Sequence, residues 1–431
     1  MDRRDVRCDV GLPDHRQGVI LVPRIDSNAS FFMEPRTSQL LGRLSESATI
    51  AMSRKARELK AAGRDIISLS LGEPDFDTPD AIKAAGIQAI DDNFTHYPPV
   101  PGYGEVRQAI CDKLKRDNGL DYAPDQIVVS TGAKHSLMNV VLSLVDPGDE
   151  VILPTPYWVS YADMTNLAGG KVVTVETGIA QDFKMTADQL RSALTDKTRI
   201  VMVNSPNNPS GSVYTEEEMA AIADVLRDHP RAIAISDEIY EYINFTEAHA
   251  SLATQPSMME RTVTVNGVSK GFAMTGWRIG YIAAPQWIAA ACTKLQGQFT
   301  SGASGISQKA TEHAMIGGAA LAADMKAAFL QRRDMVVEGL RSIEGFEVNV
   351  PQGAFYIFPD VSALFGRQHD GGTIQSGQDL AMYLLEAAEV ATVGGDAFGS
   401  PNCMRISYAA SEAQLNEAIR RISKAISELR A

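Results

Sequence analysis

Short apolar runs alternate with amphipathic segments along most of the chain. The runs are rich in valine and isoleucine and read DIISLSLG, QIVVSTG, EVILPTP, KVVTVET, RIVMVNSP, RAIAISDE, TVTVNG and RIGYIAAP, between residues 65 and 285. Segments such as SLMNVVLSLV and TEEEMAAIADVLRDH lie between them and have the apolar spacing of helices. Near-continuous apolar strands separated by helices are typical of a mostly parallel sheet covered on both faces. The pattern therefore predicts an α/β fold.

The pattern differs on either side of this region. Residues 40–62 have helix-like spacing, and a long helix is predicted over 319–343. That helix leads into FEVNV, GAFYIFP, VATV and CMRISYA and then a terminal helix from Glu412, which indicates a smaller α+β domain. GRQHDGGTIQSGQD is predicted to be a surface loop. The predicted divisions are a flexible extension (1–32), a segment packing with the small domain (33–65), a large domain (66–318) and a small C-terminal domain (319–431).

Composition and charge argue against several classes of function. The 431 residues are 45% hydrophobic and 22% charged, as in globular proteins, and the net charge of −13 argues against nucleic acid or anionic membranes as partners. No apolar run reaches the length of a membrane span, and the N-terminus lacks a signal-peptide pattern. The four cysteines have neither metal nor redox spacing, which favours a reducing cytoplasm and predicts no metal site.

Unusual residues follow several predicted strands, where ligands bind in open α/β sheets. QIVVSTGAK places Ser130 to Lys134 at the start of a helix, where small residues and the helix dipole suit a phosphate. RAIAISDE places Asp237 at the end of a buried strand, where a carboxylate needs a partner. From the residues alone, an ordinary helix N-cap is the favoured interpretation of each feature.

Other strand ends add aromatic, amide and cationic groups. Trp158 follows one strand, and Asn208 lies in the turn after another. Lys270 stands among small and apolar residues, and the next charge is Arg278. Together these ends supply a phosphate cradle, an aromatic plate, a carboxylate, a lysine and an arginine. Those groups are what a protein needs to hold pyridoxal 5′-phosphate.

The motifs carrying these residues resemble a known family. SLGEPDFDTP, STGAKHSL, PYWVSY, NSPNNPSG, SDEIYE, VSKGFAMTGWRIGY, GAFYIFP and RISYA are similar to the serial motifs of class I aminotransferases of PLP fold type I. The bacterial aspartate aminotransferase subgroup is the most similar, and the resemblance runs from about residue 44 to residue 429. It implies a large domain built on a mostly parallel seven-stranded sheet and a smaller α+β domain.

The resemblance also implies roles for individual residues. Those expected at the cofactor are Lys270 as Schiff-base lysine and catalytic base, Asp237 at the ring nitrogen, Tyr240 and Asn208 at the ring hydroxyl, Trp158 on the ring face, and Gly132, Ala133, Lys134, Ser269 and Arg278 at the phosphate. Tyr97 corresponds to a tyrosine that reaches the phosphate from a neighbouring subunit, which implies a homodimer with a shared active site.

Substrate contacts follow from the same resemblance. Arg405 corresponds to the arginine that binds the α-carboxylate, and Gly72 to a glycine beside it. The resemblance also implies substrate contacts for Trp158 and Asn208, and it associates a lysine at the position of Lys134 with preference for a second carboxylate. The predicted reaction is a ping-pong transfer of the amino group from L-aspartate to 2-oxoglutarate, giving oxaloacetate and L-glutamate.

Three alternatives remain open at this point. An aromatic or prephenate aminotransferase would share the fold, although Ser45 and Glu46 stand where prephenate-using relatives carry a basic residue. A PLP β-lyase would share the cofactor residues. A PLP-fold regulator would need a DNA-binding domain, for which residues 1–43 are too short and the acidic charge unsuited.

Overall fold

The computed structural model describes residues 37–44, 46–246 and 248–430. The predicted extension of residues 1–32 lies outside the described residues. The helices are α1 (Ala48–Ala61), α2 (Asp80–Asp91), α3 (Gly104–Asn118), α4 (Ala133–Leu144), α5 (Ser160–Ala168), α6 (Ala187–Ala193), α7 (Glu216–Arg227), α8 (Gln286–Phe299), α9 (Gly305–Gly317), α10 (Ala323–Arg341), α11 (Gly377–Tyr383) and α12 (Glu412–Ser427). The strands are β1 (Ile67–Ser68), β2 (Ile127–Ser130), β3 (Glu150–Pro154), β4 (Lys171–Val175), β5 (Thr198–Asn204), β6 (Ile233–Asp237), β7 (Thr262–Gly267), β8 (Gly280–Ala283), β9 (Tyr356–Ile357), β10 (Gln368–His369), β11 (Gly372–Thr373), β12 (Val390–Ala391), β13 (Val393–Gly394) and β14 (Met404–Ser407).

Within the described residues, seven strands form the central sheet, in the order β2-β8-β7-β6-β5-β3-β4. All neighbours run parallel except β8, which is antiparallel to both β2 and β7. Because β8 is reversed, its first residue lies at the carboxyl edge of the sheet, where Gly280 pairs with both Ser130 and Gly267. The segment just before β8, which contains Arg278, is therefore brought to the same edge as the ends of β2 and β7.

Helices cover both faces of the central sheet, and β5 shows why its sequence is apolar throughout. Ile200 and Met202 pack into one core cluster with residues of α4, whereas Val201 and Val203 pack into another with residues of α7. Successive side chains of a strand point to opposite faces, so a strand with two covered faces has no polar face. Burial of both faces of the sheet thus explains the continuous apolar runs from which the α/β fold is predicted.

The C-terminal region has its own core cluster, into which Ile239, Tyr240 and Ile243 of the segment after β6 also pack. Strands β13, β14 and β9 form an antiparallel sheet. Phe329 and Leu340 of α10 share a buried cluster with Ile422 of α12. Helix α1 packs Met52 and Ala56 against residues 381–391. The division into a large domain and a small domain at residue 318 stays a prediction.

Several predicted elements differ from the observed ones. The run DIISLSLG is not part of the central sheet: β1 has two residues and pairs with β12, because Ile67 packs in the C-terminal core. FEVNV forms only an isolated bridge, from Glu347 to Asp360. The predicted loop 366–379 contains the hairpin β10–β11 and the first turn of α11. The helix predicted from residue 40 begins at Ala48, after the polar segment ending at Ser47.

No helix in the described part of the chain is long and apolar enough to cross a membrane.

A buried ion pair provides a test of the core. Lys113 and Glu241 form a salt bridge with side chains 0% and 4% exposed. Substituting Lys113→Met should destabilise the protein by about 3–5 kcal/mol, because Glu241 is left buried without its cation. Thermal and urea unfolding would measure the loss. The control is Lys115→Met on the same helix, since its pair with Asp121 is 67% and 77% exposed and its loss should change stability by less than about 1 kcal/mol. Equal effects of the two substitutions would contradict this account.

Candidate active site

A cavity of about 280 Å³ lies at the carboxyl edge of the central sheet. Most of the residues predicted for the site line it: Gly72, Ala133, Lys134, Trp158, Asn208, Asp237, Tyr240, Ser269, Lys270, Arg278 and Arg405. They come from strand ends, helix starts and the C-terminal region, so only the fold brings them together. Gly132 does not line the cavity but lies immediately before Ala133, as the N-cap of α4.

Lys270 follows β7 and reaches into the cavity. Its Nζ donates a hydrogen bond to the Gly72 carbonyl at 2.5 Å. Burial lowers the pKa of Lys270 to about 8, and nearby Arg278 and Arg405 act in the same direction against the charge of Glu73. A neutral amine is therefore accessible close to neutral pH, which suits a nucleophile and a general base.

Asp237 is the last residue of β6 and is 4% exposed. Its Oδ2 accepts a hydrogen bond from the Tyr161 hydroxyl at 2.6 Å, and its Oδ1 accepts one from the Ile239 amide at 3.3 Å. Burial raises the pKa of Asp237 to about 6, and the bond from Tyr161 opposes that rise. The carboxylate is thus buried, partnered and facing a cavity where a cationic group would meet it.

The neighbouring Glu238 is turned away from the cavity. It accepts hydrogen bonds from Ser236 and Ser251 and pairs with His249 at 3.0 Å. The two adjacent carboxylates at this strand end therefore have different partners, and only Asp237 lines the site.

The N-terminus of α4 and Arg278 form one corner of the cavity. Gly132 has φ of 85°, and a Cβ there would lie 2.3 Å from the Arg278 guanidinium. Arg278 itself has φ of 57°, and its Nη1 donates to the Thr275 carbonyl at 2.9 Å. A guanidinium beside the unpaired amides of a helix N-terminus is a ready-made phosphate site.

Arg405, in β14, is 2% exposed and also lines the cavity. Its Nη1 donates to Asn208 Oδ1 at 3.0 Å, and its Nη2 donates to the Ser70 carbonyl at 2.7 Å. Its Nε has no hydrogen-bond partner among the described residues. Burial lowers the pKa of Arg405. A buried guanidinium with an unused donor and no carboxylate partner fits an anionic ligand.

Aromatic side chains also line the cavity. The hydroxyls of Tyr240 and Tyr356 are 3.0 Å apart. The Tyr356 ring lies 4.7 Å from the Arg405 guanidinium. A Cβ on Gly72 would lie 2.5 Å from the Tyr356 hydroxyl, so this approach requires glycine. On the other side, Lys134 Nζ lies 4.9 Å from the Trp158 ring.

Tyr97 is the predicted residue that the fold does not bring to the cavity. The residue is 97% exposed and lines a separate groove together with residues 302–306. Its contact with a phosphate in a neighbouring subunit stays a prediction.

Sequence reasoning missed several cavity residues. Tyr161, Asn204 and Tyr356 line the cavity, as do Ser47 and Thr49 at the start of α1. Tyr161 is the last residue of the quoted motif PYWVSY, three residues after Trp158. Tyr356 stands inside the quoted motif GAFYIFP. The position of α1 over the cavity has no comparable local signal.

The chain matches the family described as aminotransferase class I and II over residues 64–422. This chain belongs to the class I and II aminotransferases. A Petunia hybrida relative, named bifunctional aspartate aminotransferase and glutamate/aspartate-prephenate aminotransferase, is 50% identical over 385 residues, which are 88% of this chain and 80% of the relative. An aspartate/prephenate aminotransferase of Cereibacter sphaeroides is 47% identical over 389 residues, covering 89% of this chain and 97% of the relative.

Solved structures agree with this assignment. The aspartate aminotransferase of Rhizobium meliloti superposes on this aminotransferase with a TM-score of 0.88 at 41% identity, covering 91% of this chain and 99% of that one. The Thermus thermophilus aspartate aminotransferase with maleate has a TM-score of 0.85 at 38% identity, covering 91% and 100%. The predicted family and fold type are confirmed.

The cofactor of this aminotransferase family is pyridoxal 5′-phosphate, as predicted, and the cavity fits it. The α4 N-terminus with Arg278 suits the phosphate, and Asp237 suits a protonated ring nitrogen. Lys270, with its lowered pKa, suits the aldehyde. These three groups line one cavity.

The pKa of Lys270 generates a pH prediction. Since burial lowers it to about 8, the neutral fraction of the amine should rise roughly tenfold between pH 7 and its plateau above pH 9. The rate at which the cofactor-free protein captures pyridoxal 5′-phosphate, followed by absorbance, should rise over this interval and then level off. Lys270→Ala is the control without covalent capture. A rate that still climbs beyond pH 10 would contradict the lowered pKa.

Proposed function

We propose that this aminotransferase transfers the amino group of L-aspartate to 2-oxoglutarate, giving oxaloacetate and L-glutamate in a ping-pong cycle. The observation that carries the proposal is the pair of cationic side chains, Arg405 and Lys134, on the wall of one cavity with Lys270. Aspartate and 2-oxoglutarate are both dicarboxylates, and a solved relative carries maleate, another dicarboxylate. The names of the relatives cited above agree with this substrate.

Each side chain has a distinct task in the proposal. When bound, the cofactor supplies an electron sink that stabilises negative charge at the substrate's α-carbon. Lys270 would hold the cofactor before substrate arrives and then, as a neutral amine, would take the proton from the substrate's α-carbon and pass it to the C4′ carbon of the cofactor. Asp237 keeps the ring nitrogen charged, and Tyr240 with Asn208 donates to the ring hydroxyl.

Cationic side chains and backbone amides hold the anionic groups of the cofactor and the substrate. The phosphate would be held by Arg278, Ser269 and the backbone at Gly132, Ala133 and Lys134, and Trp158 would cover the ring face. Arg405 binds the α-carboxylate next to Asn208 and Gly72. Among the described residues Arg405 has no carboxylate partner, which supports this role, because a buried guanidinium gains most from a ligand that completes its hydrogen bonds.

The working unit in this proposal is a homodimer in the cytoplasm. Tyr97 is exposed on its own subunit, which supports a contact with the phosphate of a second subunit. The buried free thiols of Cys111, Cys292 and Cys403 support a reducing compartment. We also propose the domain division at residues 33–65, 66–318 and 319–431, with α1 packing on the small domain.

Prephenate is the second candidate substrate, favoured by the names of the Petunia and Cereibacter relatives. Glu46, near the predicted position of a basic residue, pairs with Arg54 instead of offering a cation. Ser45 lies outside the described residues. Steady-state rates discriminate between the aminotransferases and a β-lyase when aspartate and phenylalanine are each paired with an amino acceptor, prephenate is paired with an amino donor, and a cysteine conjugate is followed by its cleavage product. Negligible turnover of aspartate with 2-oxoglutarate would refute the first proposal.

Covalent labelling tests the cofactor site. The purified protein should be yellow, and borohydride should bleach it and attach the cofactor to the peptide containing Lys270. Lys270→Ala should lose at least about 10³-fold in kcat, as when a nucleophile and base are removed together. Attachment at another lysine would overturn the assignment, and Lys294→Ala, outside the cavity lining, is the control.

A second prediction concerns substrate choice. Lys134→Met should raise KM for aspartate by about tenfold or more, since a charge-assisted contact to the distal carboxylate is lost. KM for alanine or phenylalanine, which lack that carboxylate, should change little. If KM rises equally for both classes of substrate, Lys134 serves the cofactor phosphate and not the substrate.

A further inference from the structure

Tyr161 is a buried phenol that stands behind the cavity's carboxylate. It lies in the first turn of α5, is 2% exposed, and donates to Asp237 Oδ2 at 2.6 Å. Its ring meets the Trp158 ring edge-on, with centroids 5.4 Å apart and planes at 86°. The Thr165 hydroxyl donates to the Tyr161 carbonyl at 2.9 Å. The phenol therefore has a fixed orientation toward one acceptor.

Apart from Tyr161, few groups stabilise the charged form of Asp237. Glu238, next in the chain, raises its pKa by repulsion, while Lys270 across the cavity lowers it. The Ile239 amide gives a longer bond of 3.3 Å, and Tyr240 is a further phenol near Tyr161. Burial is the largest influence and raises the pKa of Asp237 to about 6, even with the Tyr161 bond in place. Loss of that bond would raise the pKa further, so the carboxylate would become neutral at a higher pH.

We propose that Tyr161 is a positioning residue that keeps the Asp237 side chain charged and facing the cavity. The inference rests on the proposed function, in which Asp237 meets the ring nitrogen of the cofactor. Tyr161 acts through Asp237 and need not touch cofactor or substrate. It couples Trp158, the expected plate on the ring face, to the carboxylate at the ring edge.

The test is Tyr161→Phe in the holoenzyme, which removes the hydroxyl and keeps the ring. The acid limb of the pH profile of kcat should move to higher pH by about one to two units, as expected for loss of a hydrogen bond to a charged group. The pH titration of the bound cofactor's visible absorbance should change in the same variant without any substrate. Much of the lost rate should return at alkaline pH, which a merely structural defect would not produce. Tyr157→Phe, outside the cavity lining, is the matched control and should change neither profile.

Asp237→Asn is the reference variant that separates the inference about Tyr161 from the proposed role of Asp237 itself. If it changes the absorbance titration and Tyr161→Phe does not, the inference about Tyr161 is wrong while the proposed role of Asp237 stands. If Asp237→Asn changes nothing, the proposed cofactor contact itself fails.

A second variant covers the case in which Tyr161→Phe does not fold. Replacement of Tyr161 by 3-fluorotyrosine keeps the shape and makes the phenol a stronger donor. The acid limb should then move to lower pH. An unchanged acid limb in the fluorinated protein would overturn the proposal.

Discussion

The burial of Asp237 is the constraint on which the rest of the site depends. A carboxylate 4% exposed at the end of a central strand must be partnered, because an isolated buried charge costs more than the net stability of most domains. The same desolvated space acts oppositely on Lys270. Burial raises the pKa of the acid to about 6 and lowers that of the amine to about 8. Near neutral pH the Asp237 carboxylate is therefore largely charged, whereas a fraction of the Lys270 amine is neutral and can act as a base.

The reversed strand β8 places the anion-binding corner next to this pair. A parallel β8 would have its first residue at the far edge of the sheet. Because it is antiparallel, Arg278 emerges beside the start of α4, and a Cβ on Gly280 would lie 2.1 Å from the Ala133 amide nitrogen. The close approach of these two backbones depends on glycine. It leaves a guanidinium and a helix N-terminus directed at one space.

Hydrogen bonds connect this sheet edge to the C-terminal region. Asn204 donates through Nδ2 to the Asp237 carbonyl at 2.9 Å and accepts from the Asn208 amide at 2.8 Å. Asn208 in turn accepts from Arg405 at 3.0 Å. The guanidinium of β14 is thus joined, through two amides, to the strand that ends in Asp237. Any movement of Arg405 relative to the sheet must break or stretch a bond in this series.

The amino-acid sequence by itself determined the strands, the helices and the chemical groups at their ends. Apolar runs and helical spacing are local patterns, so β2 to β8 and α12 were predictable, and the ordered motifs identified Lys270, Asp237 and Arg405 as candidates. Only the tertiary structure decided which groups became partners. Nothing local distinguishes β1, which pairs with β12 across more than three hundred residues, from a strand of the central sheet. The Tyr161–Asp237 bond and the lowered pKa of Lys270 likewise depend on distant residues that bury these groups, because hydrogen bonding and desolvation depend on distance in space and not on position in the chain.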